Sequence, residues 1–186
     1  MADVTISGLS EGLPNKNSAV IPYSDGTTTL KTSPSGIVAA SPGSIIQVVQ
    51  TVFGPGFQHS TTSTSYVNTG IEASITPKFS TSRIMIGVTT QFAIRDSSGG
   101  ATAGPYGSYN LTRNNNELIV WGTVQFLGWC SGNCQYIDSP NSTSLLTYRV
   151  QSKLSSQSPA GRIYTGWGST PGIEGSSFIV LQEIAG

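Results

Sequence analysis

The sequence predicts an all-β protein: a single antiparallel β-sandwich, jelly-roll-like, preceded by an extended N-terminal arm with little regular structure. Three observations predict it. Ser and Thr supply roughly a quarter of the 186 residues, against about an eighth in average usage, while charged residues are only 10%. Helices draw on Glu, Lys, Ala and Leu for their outer faces, whereas strands favour β-branched Thr and disfavour Lys and Glu. Apolar residues alternate with period two, as Ile71, Ala73 and Ile75 do against Glu72, Ser74 and Thr76. The segments are short, their connections are rich in Gly, Pro, Asn and Ser, and no 3.6-residue period of helical length competes.

Residues 1–43 form the arm. They carry Pro14, Pro22, Pro34 and Pro42, with turn signals at Gly12-Leu13-Pro14-Asn15 and Ser24-Asp25-Gly26. Short extended pieces are expected at 4–6, 19–21 and 27–31. A helical turn is expected at 34–40, with Ser33 as N-cap and Pro34 first in the helix. This arm has too few apolar residues for a core of its own, so it must lie on something else.

Residues 44–186 form the sandwich. A β-rich run at 45–53 ends at Gly54-Pro55-Gly56, and the Thr-rich stretch 60–68 reads as an edge or outer strand. Ile71–Ile75 follows, stopped by Pro77, and Ile84, Ile86 and Val88 then alternate with Met85, Gly87 and Thr89 inside 83–94. Further strands are expected at 106–113, 117–126, 135–138, 144–154, 162–165 and 176–184. Asn114-Asn115-Asn116 reads as a hairpin turn, because Asn tolerates positive φ. The stretches 96–105 and 155–161 read as long Gly- and Ser-rich surface loops that only connect strands; the alternative is loops exposed at a sandwich end that touch a receptor or a neighbouring subunit.

Charge excludes several functions. Nine cations balance nine acids, and the cations are scattered, so no basic stripe is present to bind nucleic acid. Neutrality costs solubility unless assembly covers the surface. No segment has the eighteen or so apolar residues of a membrane span. The start, Met1-Ala2-Asp3-Val4-Thr5, has neither the basic nor the apolar region of a signal peptide, which places synthesis in a host cytoplasm.

The residues also read as no enzyme and as needing no cofactor or metal. His59 is the only histidine and no Gly-x-Ser-x-Gly elbow accompanies it, so it reads as a loop or outer-strand residue. The carboxylates form no local pair, and neither a phosphate-binding Gly loop nor a metal-ligand spacing occurs. Cys130 and Cys134 flank Ser131-Gly132-Asn133; a tight turn there would bring them within disulfide reach, and the alternatives are a disulfide or two free thiols, with zinc a distant third because no further ligands cluster nearby. Trp121 lies inside an apolar strand and reads as core, as do most of the Tyr residues. Trp167, in Gly166-Trp167-Gly168, is the best candidate for an exposed aromatic that binds a glycan.

The central block Ser65-Tyr66-Val67-Asn68-Thr69-Gly70-Ile71-Glu72-Ala73-Ser74-Ile75-Thr76-Pro77, continued by Ser80-Thr81-Ser82-Arg83-Ile84-Met85-Ile86, resembles a recurring pattern in virion proteins of tailed phages, many of them cyanophages. Tyr136-Ile137-Asp138-Ser139-Pro140 with Thr147-Tyr148-Arg149-Val150, and the ending Ser177-Phe178-Ile179-Val180-Leu181-Gln182-Glu183-Ile184, are similar to later segments of that pattern. Ile6-Ser7-Gly8-Leu9 and the stretch 21–32 resemble its opening attachment segments.

The resemblance implies a homotrimeric jelly-roll domain on a virion and brings no catalytic residues. It leaves the virion part open, because tail fibres and capsid decoration proteins both use such domains; the leading reading is a capsid decoration (cement) protein bound to the major capsid protein on the outer shell. The alternative is a short tail fibre that recognises a host surface glycan, and a free-standing lectin comes third. Length favours decoration, because a fibre needs a shaft of heptads or β-helical repeats and only about forty irregular residues precede the sandwich.

Overall fold

The computed structural model describes residues 21–24, 29–32, 42–54, 56–96, 106–124, 130–154, 161–166 and 176–186. The helical turn expected at 34–40 and the extended piece at 4–6 lie outside these residues. So do 97–105 and 155–160, the bulk of the two expected loops.

All regular structure among the described residues is strand. The first two strands, β1 (Ile21–Ser24) and β2 (Thr29–Thr32), pair antiparallel as a separate two-stranded hairpin. Ten more follow: β3 (Ile45–Phe53), β4 (His59–Thr61), β5 (Val67–Ile75), β6 (Arg83–Asp96), β7 (Gly107–Arg113), β8 (Asn116–Val124), β9 (Cys130–Asp138), β10 (Leu146–Leu154), β11 (Gly161–Thr165) and β12 (Ser177–Ile184).

One sheet has the order β5-β10-β7-β8 and the other contains β3-β12-β6-β9, every pair antiparallel. Counting these eight main strands along the chain, the second sheet runs first, eighth, third, sixth. The first sheet runs second, seventh, fourth, fifth. Two interlocked Greek keys produce this order, and it is that of a jelly roll.

The remaining strands extend the second sheet. β11 pairs β6 over Phe92–Asp96, in line with β12, which pairs it over Arg83–Thr89. β4 pairs β11 as β3 pairs β12. Two long strands are therefore interrupted at the same level, between β3 and β4 and between β11 and β12. Phe57 sits at the break. Gly166 has φ +77, and a Cβ there would fall 2.6 Å from the Phe57 carbonyl oxygen, so only glycine fits.

Period-two alternation sends Ile71, Ile75, Ile84, Ile86, Leu111, Tyr148, Val150, Ile179 and Leu181 inward to one core between the sheets. Each such Ile or Leu contributes about 1.5–3 kcal/mol relative to exposure. Asn114 and Asn115 have φ 49 and 69 and form the two-residue loop from β7 to β8, the geometry a type I′ hairpin requires.

Two polar clusters close the end of the sandwich where these hairpin connections lie. Arg113 (β7) donates to both carboxylate oxygens of Asp138 (β9) at 2.9 and 2.8 Å, and the Tyr148 hydroxyl (β10) donates to Asp138 Oδ2 at 2.7 Å. This ties the two sheets together. Burial, with Asp138 beside it, pushes the Tyr148 phenol well above its usual range. Glu183 is fully buried on β12. Its carboxylate accepts from the backbone N–H of Lys78 (2.6 Å) and Phe79 (3.4 Å) and from Gln47 Nε2 (2.6 Å), fastening the β5–β6 connection to β3.

Two readings of the sequence need correction. The stretch 60–68 is not one strand: β4 ends at Thr61 and β5 begins at Val67 in the other sheet. Between them Thr61 Oγ1 accepts from Ser63 N and Ser63 Oγ from Ser65 N, side-chain turns that carry the chain across. The tight turn expected between Cys130 and Cys134 is absent. β9 runs straight through both residues, so four steps of ~3.3 Å set their Cα atoms about 13 Å apart. A disulfide needs roughly 4.4–6.8 Å, so the two cannot bond to each other here, and Cys134 is a free, buried thiol.

Candidate assembly face

The outward sides of β3, β12, β6 and β9 form one continuous surface whose rows follow from register. Val52, Phe178, Thr89 and Asn133 lie across from one another, then Gln50, Val180, Gly87 and Gln135, then Val48, Gln182, Met85 and Ile137. Val48 and Val52 are 56% and 57% exposed and Ile137 is 52% exposed. Ile45 and Ile184 pair at the end of the same face, beside Arg83. From Arg83 as far as Gln91 along β6, these rows hold no other charged side chain. A Cβ on Gly87 would meet nothing within 4 Å, so the centre of the face is a shallow open dip.

The outward side of the other sheet is its opposite in chemistry. Arg149 on β10 donates to Glu72 on β5 at 2.6 Å and to Asn115 Oδ1 at 2.9 Å. Gln151 donates to Asn68, Asn110 to Glu117, and Ser74 hydrogen-bonds Thr147. Lys153 Nζ stands 4.4 Å over the Tyr66 ring. Cross-strand partners hold most of the polar groups on this face, although Asn110 Oδ1 is enclosed without one and Val120 on β8 is 46% exposed. The β3-β12-β6-β9 face has apolar groups and nothing to cover them among the described residues. Contiguous exposed apolar area of that kind marks an interaction surface.

The residues singled out from sequence fall elsewhere. Trp167 lies outside the described residues. Cys134 points into the core opposite Val88, where burial pushes its thiol up to about 11, so it is a packing group rather than a nucleophile. His59 is on the short edge strand β4, paired with Thr165. Its Nδ1 is enclosed without a hydrogen-bond partner, and burial lowers its pKa from 6.5; no third group holds it as a base. Trp121 packs on the core and stacks on Tyr109 at 6.2 Å. Among the described residues no three His, Cys, Asp or Glu side chains gather as metal ligands, and no helix is long and apolar enough to cross a membrane.

Topology also brings together the strand ends that flank three connections. Asp96 pairs with Gly161, Gly107 pairs with both Leu154 and Val124, and Phe92 pairs with Cys130. The anchors of 97–105, 125–129 and 155–160 therefore share the end opposite Glu183. Sequence reading anticipated a surface covered by assembly but not this face. Its residues come from four segments, and no local pattern unites Val48, Met85, Ile137 and Val180.

No protein-family model matches the chain, and no curated protein sequence does. Among solved structures the chain is similar to infectious bursal disease virus, Gx strain, at 12% identity and a TM-score of 0.41, over 90% of this chain and 43% of that one. It is similar to the T=1 particles derived from infectious bursal virus at 11% and 0.39, over 90% and 41%. A third is dimeric latent PorU from Porphyromonas gingivalis, at 10% and 0.35, over 78% and 14%. The chain spans less than half the length of each. At these identities the likeness does not extend to function.

Proposed function

We propose that this chain is a structural protein of a tailed-phage virion, a non-enzymatic homotrimer that decorates the outer capsid surface and ties the major capsid protein together. The observation that carries this reading is the contrast between the two sheet faces. One is largely paired through its own hydrogen bonds and ion pair; the other carries one charge, Arg83 at its end, and exposes Val48, Val52 and Ile137 among uncharged neighbours. A chain with balanced charges gains solubility by burying such a face in an assembly. A closed three-fold ring would cover one face of each sandwich and leave the loop end outward. The jelly-roll order of the strands suits this use, and the sequence resemblance points the same way.

The shared end at which the anchors of 97–105, 125–129 and 155–160 meet favours one second reading, a tail fibre whose end contacts a host glycan. Copy number separates the two. Quantitative mass spectrometry of purified particles should count hundreds of copies per virion, whereas tens would support the fibre. A companion variant tests the face itself. Gly87→Glu places a charge in the open dip without touching the core, and light scattering should find a folded monomer that no longer joins particles. An unchanged trimer would remove the face from the interface.

A further inference from the structure

The strand edges of the two sheets are not alike. β5 is kinked by Gly70 at φ +88 and carries Glu72 outward. β8 carries Glu117 and meets β7 with two register shifts. β4 has only three residues, and β9 contains Ser131-Gly132-Asn133, poor strand formers. Charges, bulges and shortness are how proteins keep sheet edges from pairing. β3 has none of these along most of its length. It is nine residues long, Ile-Ile-Gln-Val-Val-Gln-Thr-Val-Phe, with no charge, Pro or Gly. Its one irregularity lies at its first residues, opposite Ile184. Among the described residues it pairs with β12 alone, so half of its backbone N–H and C=O groups face away from that sheet. Ile45, Val48 and Val52 belong both to this edge and to the apolar face.

The chain also holds the reverse element. Among the described residues the β1–β2 hairpin pairs with no other strand, and a lone two-stranded hairpin is marginal in water. Residues 33–44 separate it from β3 and can span up to about 40 Å, enough to reach a neighbouring subunit. A three-fold ring needs heterologous contacts, a donor on each copy meeting an acceptor of a different kind on the next.

Resting on the trimeric reading above, we infer that the open edge of β3 is a strand-addition site whose occupant is the β1–β2 hairpin of a second copy. Backbone hydrogen bonds along β3 supply the affinity, and the apolar face continues the contact. Each subunit then gives a hairpin to one neighbour and takes one from the other.

Hydrogen exchange on the full-length protein tests this, with light scattering on the same sample. In the trimer all β3 amides should exchange slowly. Leu30→Pro, which disrupts the hairpin and leaves the sandwich intact, should speed alternate β3 amides by at least about tenfold and weaken the trimer. A trimer in which alternate β3 amides already exchange fast overturns strand addition while leaving the trimeric reading in place. A monomer overturns both. Exchange between copies is read by mixing a Leu30→Cys chain with a mass-labelled Gln50→Cys chain under oxidising conditions. Cross-links of mixed mass support a second copy as donor. A Leu30→Cys/Gln50→Cys double variant that closes only within its own chain overturns it in favour of the chain's own hairpin.

Discussion

Replacing Glu183 by Ala should be among the most damaging single changes in this protein, although the residue touches no partner. The Glu183 side chain is fully buried and accepts from Lys78 N and Gln47 Nε2 at 2.6 Å each, with a weaker contact from Phe79 N at 3.4 Å. Gln47 Nε2 is held in addition by the Thr76 carbonyl at 2.7 Å. A hydrogen bond to a charged group contributes about 1.5–3 kcal/mol, and the 3.4 Å contact adds little. Two good bonds, less the cost of desolvating the carboxylate, leave a loss of about 3–4 kcal/mol for Ala. That is a large share of the ~5–15 kcal/mol typical of a domain. Glu183→Gln keeps one acceptor but sets an NH₂ against the Gln47 NH₂, so about half that loss is expected. Urea unfolding at one fixed protein concentration reads both, since assembly adds stability by mass action. At a slope of ~2 kcal/mol/M the Ala midpoint should fall by about 1.5–2 M. A fall under ~0.5 M, or Gln as damaging as Ala, would refute the idea that the carboxylate clamps the β5–β6 connection.

Two other predictions concern titration and the bond between sheets. Burial lowers the pKa of His59 from 6.5, so between that value and the lower folded one the unfolded chain binds more protons, and stability falls as pH drops below about 6.5. The urea midpoint of His59→Gln should therefore decline less between pH 7 and 5 than that of the parent; identical profiles would sink this assignment. Tyr148→Phe should cost about 1.5 kcal/mol, because Asp138 keeps Arg113, whereas Asp138→Ala should cost about 3 kcal/mol by stranding both the guanidinium and the buried phenol. The reverse order in unfolding measurements would show that Asp138 does not organise the cluster.

The sequence by itself determined the class of the fold and most of its strands. Alternation in Ile71-Glu72-Ala73-Ser74-Ile75 and around Ile84-Met85-Ile86 is a local consequence of the strand's two-residue repeat, so it is legible without any partner. The Asn114-Asn115 turn is equally local, since positive φ selects Asn. The tertiary structure decided whatever depends on a neighbour remote in sequence. Gly132 and Asn133 look like a turn, yet β9 stays straight there. Gly132 is needed because a Cβ would collide with the Phe92 ring, a packing demand set forty residues earlier. The open apolar face, the unguarded edge of β3 and the buried role of Glu183 arise in the same way. Each is defined by which strands lie side by side and in what register, and that choice is made by burial of the whole core rather than by any one segment.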